Sequence, residues 1–259
     1  MGKRLLAMHV THSPDATVAM FEPGYWHLEI LASASRTYRL AQLDDHGDLP
    51  RHLFPWKPPL SFSLQARLSA ENLPGTWGFG FWNEPFSFLL GGSRAIRRFP
   101  ALPNAAWFFH ASPENYLTFS DNLPACGFLA ATFSSKMLHP AILALASPAL
   151  GLALLPMTAQ LLRRNLQRLI MQDSGSLQVD ITAWHTFSLD WLSTQVIFRV
   201  DGTEHWRTAV APPPPLSLVI WIDNQYASLA PRDRLRYGNL LYPSPAWLEV
   251  RDLDIQEHF

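Results

Sequence analysis

Few side chains in this sequence have the spacing or the setting for chemistry. Asp252, Asp254 and Glu257 form an Asp-x-Asp-x-x-Glu run in "DLDIQE". On a strand, alternate residues share a face, so such a run lines up carboxyls as acid–base work requires. Its position, after a strand-like segment at the end of the sequence, reads instead as a solvated strand end and tail. Glu84 in "WNEPF" stands beside Pro85, as a displaced acid or base or, preferably, an exposed turn carboxylate. His110 in "AAWFFHA" can exchange a proton near neutral pH. With no partner carboxylate beside it, it reads as a hydrogen-bonded structural histidine. Glu114 follows a Ser-Pro turn and is the third weak catalytic candidate. His9 and His12 in "HVTH" have no third ligand nearby, so no metal is expected. Cys126, the single cysteine, sits at a turn with no activating base and forms no internal disulfide. No cofactor is expected.

The elements that must position these groups are strands. "PLSFSLQARLSA" (59–70) alternates Phe62, Leu64, Ala66 and Leu68 with Ser61, Ser63, Gln65 and Arg67, the pattern of a strand with one buried face. "NLPGTWGFGFW", "AAWFFHA", "NYLTFS", "GFLAATFSS", "HTFSLDW", "QVIFRVDG", "LSLVIWI" and "WLEVRDLDI" follow, separated by Pro, Gly, Asn, Asp and Ser. Many short strands at this spacing indicate a sandwich or barrel. No repeat is visible, and "APPPPL" is a stiff connector rather than a domain linker.

The chain of 259 residues is 48% hydrophobic and 16% charged, with a net charge of −1. That balance suits a globular protein with a large core and gives no general attraction to nucleic acid, which is excluded as a partner. The apolar run at the N-terminus is too short for a signal peptide, so a cytoplasmic location is expected.

Residues 137–172 break the pattern. From Met137 to Leu162 there is no charged residue, and Pro140, Pro148 and Pro156 recur at even spacing. Short helical pieces fit this better than one continuous helix. From Pro156 onward, Met157, Leu161, Leu162, Leu166, Leu169 and Ile170 form an apolar stripe, with Gln160, Arg163, Arg164, Gln167 and Arg168 opposite. The prolines and the flanking strands argue against a membrane span. Burial or a lid over the sandwich is the first reading. Interfacial contact with a membrane surface through 137–172, making the protein peripheral, is the second.

"WHTFSLDWLSTQVIFRVDG" (184–202) resembles a paired-strand hallmark of family-16 glycoside hydrolases, the laminarinase and lichenase group. "GTWGFGFW" (75–82) looks like that family's tryptophan-rich strand, "PLSLVIWIDN" (215–224) is similar to a late strand of its concave sheet, and "AWLEVRDLDIQ" (246–256) looks like its closing strand. The match runs over roughly 59–256. It implies an all-β, concanavalin A-like jelly-roll sandwich of two antiparallel sheets, one domain over 1–259 with a helical insertion at 137–172. The family's Glu-x-Asp-x-x-Glu signature is missing: "NAAWFFHASPEN" stands in its place, with no carboxylate before Glu114.

The concave sheet should carry alternate residues of these strands. Trp77 or Trp82, Trp107 or Phe108, His110 and Trp221 are the cleft candidates, with Asn83 and Asp223 at strand ends. The rival reading is that these aromatics are sandwich core. The expected function is non-hydrolytic binding of an amphiphilic or apolar ligand in an aromatic-lined cleft. A divergent enzyme of this fold and a non-catalytic glycan-binding module are the alternatives. Apolar is preferred over glycan because sugar clefts need many hydrogen-bonding side chains.

Overall fold

The computed structural model describes residues 7–85, 101–136 and 155–258. Two seven-stranded antiparallel sheets lie face to face, beside a two-stranded ribbon. With strands numbered in chain order, the first sheet runs β1 (His9–His12), β4 (Leu40–Asp44), β13 (Ser217–Asp223), β6 (Thr76–Trp82), β7 (Ala105–Ala111), β8 (Gly127–Ser135), β9 (Ile170–Ser176). The second runs β12 (Thr203–Thr208), β11 (Val196–Val200), β10 (His185–Trp191), β5 (Leu60–Leu68), β16 (Ala246–Glu257), β3 (Tyr25–Ile30), β2 (Ala16–Glu22). β14 (Gln225–Ser228) and β15 (Arg236–Asn239) make the ribbon. This is the all-β jelly-roll sandwich that the sequence implied.

β5 shows why these segments are strands. Its residues alternate buried and half-buried from Leu60 to Leu68, as period-two patterning dictates. Its inward side chains meet those of the first sheet: Phe62 packs edge-on against Phe81, and Phe187 and Phe198 of the second sheet meet Phe108 of the first. β6, β7 and β13 are different, because every residue in them is buried. Both faces of the first sheet are therefore covered, and these strands read as unbroken apolar runs without alternation.

Three sequence expectations change. "NYLTFS" forms no strand and contributes one bridge, Tyr116 to Ser228. "DLDIQE" is no loose tail: β16 is paired through Glu257, opposite Leu60, after a bulge between Arg251 and Asp254. In the insertion, the helix α1 covers Pro156–Leu169, while residues 170–172 already belong to β9. The helical pieces expected before it, at 137–154, lie outside the described residues.

Candidate functional site

The face of the first sheet that points away from the second carries a cluster of large rings. Trp107 lies 5.3 Å from both Phe109 and Trp221, and Trp82 stacks nearly parallel to Trp221 at 6.3 Å. Phe133 meets Trp107 edge-on. Two glycines of β6 make this possible. A Cβ on Gly78 would stand 2.8 Å from the Trp221 ring, and one on Gly80 would stand 2.6 Å from the Trp107 Cα. Gly80 also has φ +145°, which side chains other than hydrogen rarely tolerate. The bare backbone of β6 is thus the floor on which both indoles lie.

Polar groups flank the rings at both ends of the sheet. At one end the Trp221 indole N–H donates to Thr76 Oγ1 (3.0 Å), and that hydroxyl donates to Asp223 Oδ1 (2.8 Å). The backbone N–H groups of Thr76 and Gln225 donate to the same oxygen. Burial still dominates, and it pushes the Asp223 carboxyl up to about 7. At the other end, Gln42 Nε2 donates to Asp44 Oδ2 at 3.0 Å. His46 stands between two carboxylates, with Nδ1 3.5 Å from Asp44 Oδ1 and Nε2 3.7 Å from Glu84 Oε1. Its ring packs on Phe54 and faces the edge of Trp82. The neighbouring Asp45 carboxyl is pushed up to about 6 by burial, although Trp56 Nε1 and Leu218 N donate to it.

Trp82, Trp107 and Trp221 are 6–7% exposed. Among the described residues, Tyr38, Leu117, Phe119, Leu166 and Leu169 pack against the cluster. The buried indole N–H groups of Trp82 and Trp107 find no acceptor among the described residues, and the buried Ser174 and Tyr38 hydroxyls find no partner among them. Native proteins leave few buried donors unpaired, so two on one ring cluster call for an explanation.

The predicted residues divide by parity. Trp82, Trp107, Trp221 and Asp223 come together on the outer face. Trp77, Phe108 and His110 do not: they point into the core between the sheets, where Trp77 stacks on His110 at 5.2 Å. Burial lowers the His110 imidazole to about 4, so it stays neutral there. Asn83 ties the end of β6 to the start of β7, donating to Leu102 O and accepting from Asn104 N. The three catalytic candidates are scattered. Glu84 stands near His46, His110 is in the core, and Glu114 lines a cleft of 490 Å³ at the opposite end of the sheet with Arg36, Tyr226 and Arg236. Gln42 and Asp44 share this face through the alternation of "LAQLD", and His46 follows two residues on, though no motif in the sequence singles them out. Among the described residues no three His, Cys, Asp or Glu side chains gather as metal ligands do.

α1 also turns differently from its sequence pattern. Arg163, expected on the polar side, is buried: its guanidinium donates to Thr118 O, Leu229 O and Asp121. Leu162 and Leu166 pack inward beside it, while Met157 and Leu161 of the expected apolar stripe face solvent. Rotation follows the strongest anchor, since a guanidinium holding two buried carbonyls outweighs the exposure of two apolar side chains.

No protein-family model matches the sequence, and no curated protein does. Solved structures of similar fold include a Bacillus licheniformis β-glucanase, 10% identical over 100% of this chain and 95% of the other, with a TM-score of 0.47. A legume lectin-like domain from Entamoeba histolytica is 10% identical over 97% of this chain and 90% of its own, also at 0.47. The catalytic domain of an endo-1,3-β-glucanase (laminarinase) from Thermotoga petrophila covers 95% of this chain at 10% identity and a TM-score of 0.42. A sialidase is matched over 98% of this chain, which spans 17% of that protein's length.

Proposed function

We propose that the outer face of the first sheet binds a saccharide, as the polar part of an amphiphilic ligand, without cleaving it. The supporting observation is the pair of buried indole N–H groups on Trp82 and Trp107, which find no acceptor among the described residues. An unmet buried donor costs about 1–3 kcal/mol. A purely apolar ligand leaves that cost in place. A sugar presents C–H faces to the rings and oxygens to the N–H groups. Gln42, Asp44, Thr76 and Ser174 join the expected Asp223 to give the rings a polar surround. Leu166 and Leu169 of α1 pack on the ring edges, so binding displaces them. Cleavage is not part of the reading, because β7 turns Ala105, Trp107, Phe109 and Ala111 to this face and offers no carboxylate.

Titration with soluble β-glucan oligosaccharides, followed by tryptophan fluorescence, tests the reading. Trp82→Phe and Trp107→Phe keep a ring and lose the donor, so each should weaken binding about fivefold, the equivalent of one net hydrogen bond. Failure of every saccharide tried, or unchanged affinity in both variants, counts against it. The Asp44–His46–Glu84 arrangement favours a second reading, acid–base catalysis beside Trp82. New reducing ends that disappear in Glu84→Gln would select that one.

A further inference from the structure

We infer that α1 docks the protein in the plane of an anionic phospholipid bilayer, through the side turned away from the sandwich. This goes beyond saccharide binding and stands without it. The outward side of the helix carries Met157, Leu161, Arg164 and Arg168 at spacings of four, three and four, one continuous line on a helix surface. Met157 is 85% exposed and Leu161 61%, with Leu155 and Met171 as open at either end. Single exposed apolar side chains are ordinary, but a line of them on one helix marks an interaction surface.

Charge names the partner. From Met137 to Gln172 the sequence has no Asp or Glu, while Lys136, Arg164 and Arg168 supply cations. Arg163 is occupied inward by Asp121 and two carbonyls. Where the helix ends, Lys136, Arg168, Met171, Ser134 and Pro213 line a cleft of 640 Å³, so cations and apolar surface adjoin at one level. An amphipathic helix with apolar residues and Arg on its free side is the form that lies in a bilayer interface. A second copy fits less well. Self-pairing along this line would bury two guanidinium groups per copy, with no carboxylate from 137–172 to meet them. No helix among the described residues is long and apolar enough to cross a membrane, and docking needs none that is.

The test is flotation of the full chain with vesicles of phosphatidylcholine, with and without phosphatidylglycerol. Flotation is expected with the anionic vesicles, weakening as salt rises. Arg164→Gln with Arg168→Gln should reduce partitioning about thirtyfold, since each surface cation contributes roughly fivefold. Met157→Gln with Leu161→Gln should reduce it about tenfold. All four side chains are exposed, and an unchanged circular dichroism spectrum confirms the fold. As an independent readout, Met157→Cys in a Cys126→Ser background, labelled with an environment-sensitive dye, should shift to the blue on anionic vesicles only. The inference is overturned by no flotation, by flotation that both variant pairs leave unchanged, by a label that never shifts, or by a lipid-independent dimer that the same variants dissolve.

Discussion

The far faces of the two sheets are both rich in aromatic rings, and they treat their polar groups in opposite ways. On the second sheet, Trp184 lies 4.9 Å from the Arg67 guanidinium and 4.2 Å from that of Arg251. Glu249 accepts from Arg67 Nε at 2.7 Å and pairs with His27 Nδ1 at 3.0 Å. Burial pushes that carboxyl up, but the hydrogen bonds from Arg67, His27 and Tyr25 outweigh it and hold the group below the usual range. The rings there are half-buried and the charges answer one another. On the first sheet the rings are nearly closed off, and two indole donors find no acceptor among the described residues. A face whose charges pair with one another and with its rings is finished as structure. A face with unpaired donors under cover is where a ligand has something to complete.

The largest test of this contrast is Gly80→Val, which forces a side chain into the Trp107 backbone at a positive φ. A loss of about 5 kcal/mol or outright unfolding is expected in urea denaturation. At Gly24 a Cβ meets nothing within 4 Å, so Gly24→Ala should cost only about 1 kcal/mol of backbone strain. Next, Trp221→Ala should cost about 4 kcal/mol through the cavity it leaves. Trp184→Ala should cost about 1 kcal/mol, losing only half-exposed cation–π contacts. Equal losses at the two positions would erase the distinction between the faces.

The pH dependence is the third test. Asp223, at about 7, and Asp45, at about 6, both titrate above the unfolded aspartate near 3.8. Their contribution to stability is fully present below about pH 4, where both states are protonated. It falls as pH rises through the folded values, because ionisation is easier in the unfolded chain. Asp223→Asn keeps the oxygen that Thr76 and Gln225 use, and should remove about 4 kcal/mol of that decline between pH 4 and 8. A decline of the same size in the variant would locate it elsewhere. On the second sheet, Glu249→Gln should cost about 2 kcal/mol by weakening its pairing with Arg67 and His27.

How much of this was readable depended on whether a strand has one buried face or two. β5 declared its inward residues, since its other face is Ser, Ser, Gln and Arg. β6 and β7 did not, because Trp77, Phe79 and Phe81 on one side are matched by Trp82, Trp107 and Phe109 on the other. Parity allowed only half of them on the outer face and left the choice of half to the neighbouring sheet. The polar members of the site were harder still. Asp44 reaches the rings only because β13, from a distant part of the chain, lies between β4 and β6. Helical periodicity showed α1 but not its rotation, which Arg163 fixes through carbonyls at Thr118 and Leu229, partners remote in sequence.

One feature of the topology bears on how the protein is made. The strand between β4 and β6 is β13, and the strand between β5 and β3 is β16. Both sheets thus receive a central strand from residues 217–257. Until the ribosome has delivered them, each half-built sheet exposes two inner edges lined with Trp, Phe and Leu. Such edges pair readily with those of other nascent chains. The yield of native protein in a cell should therefore depend on chaperone capacity until residues 217–257 have emerged, more than on the stability of the finished sandwich.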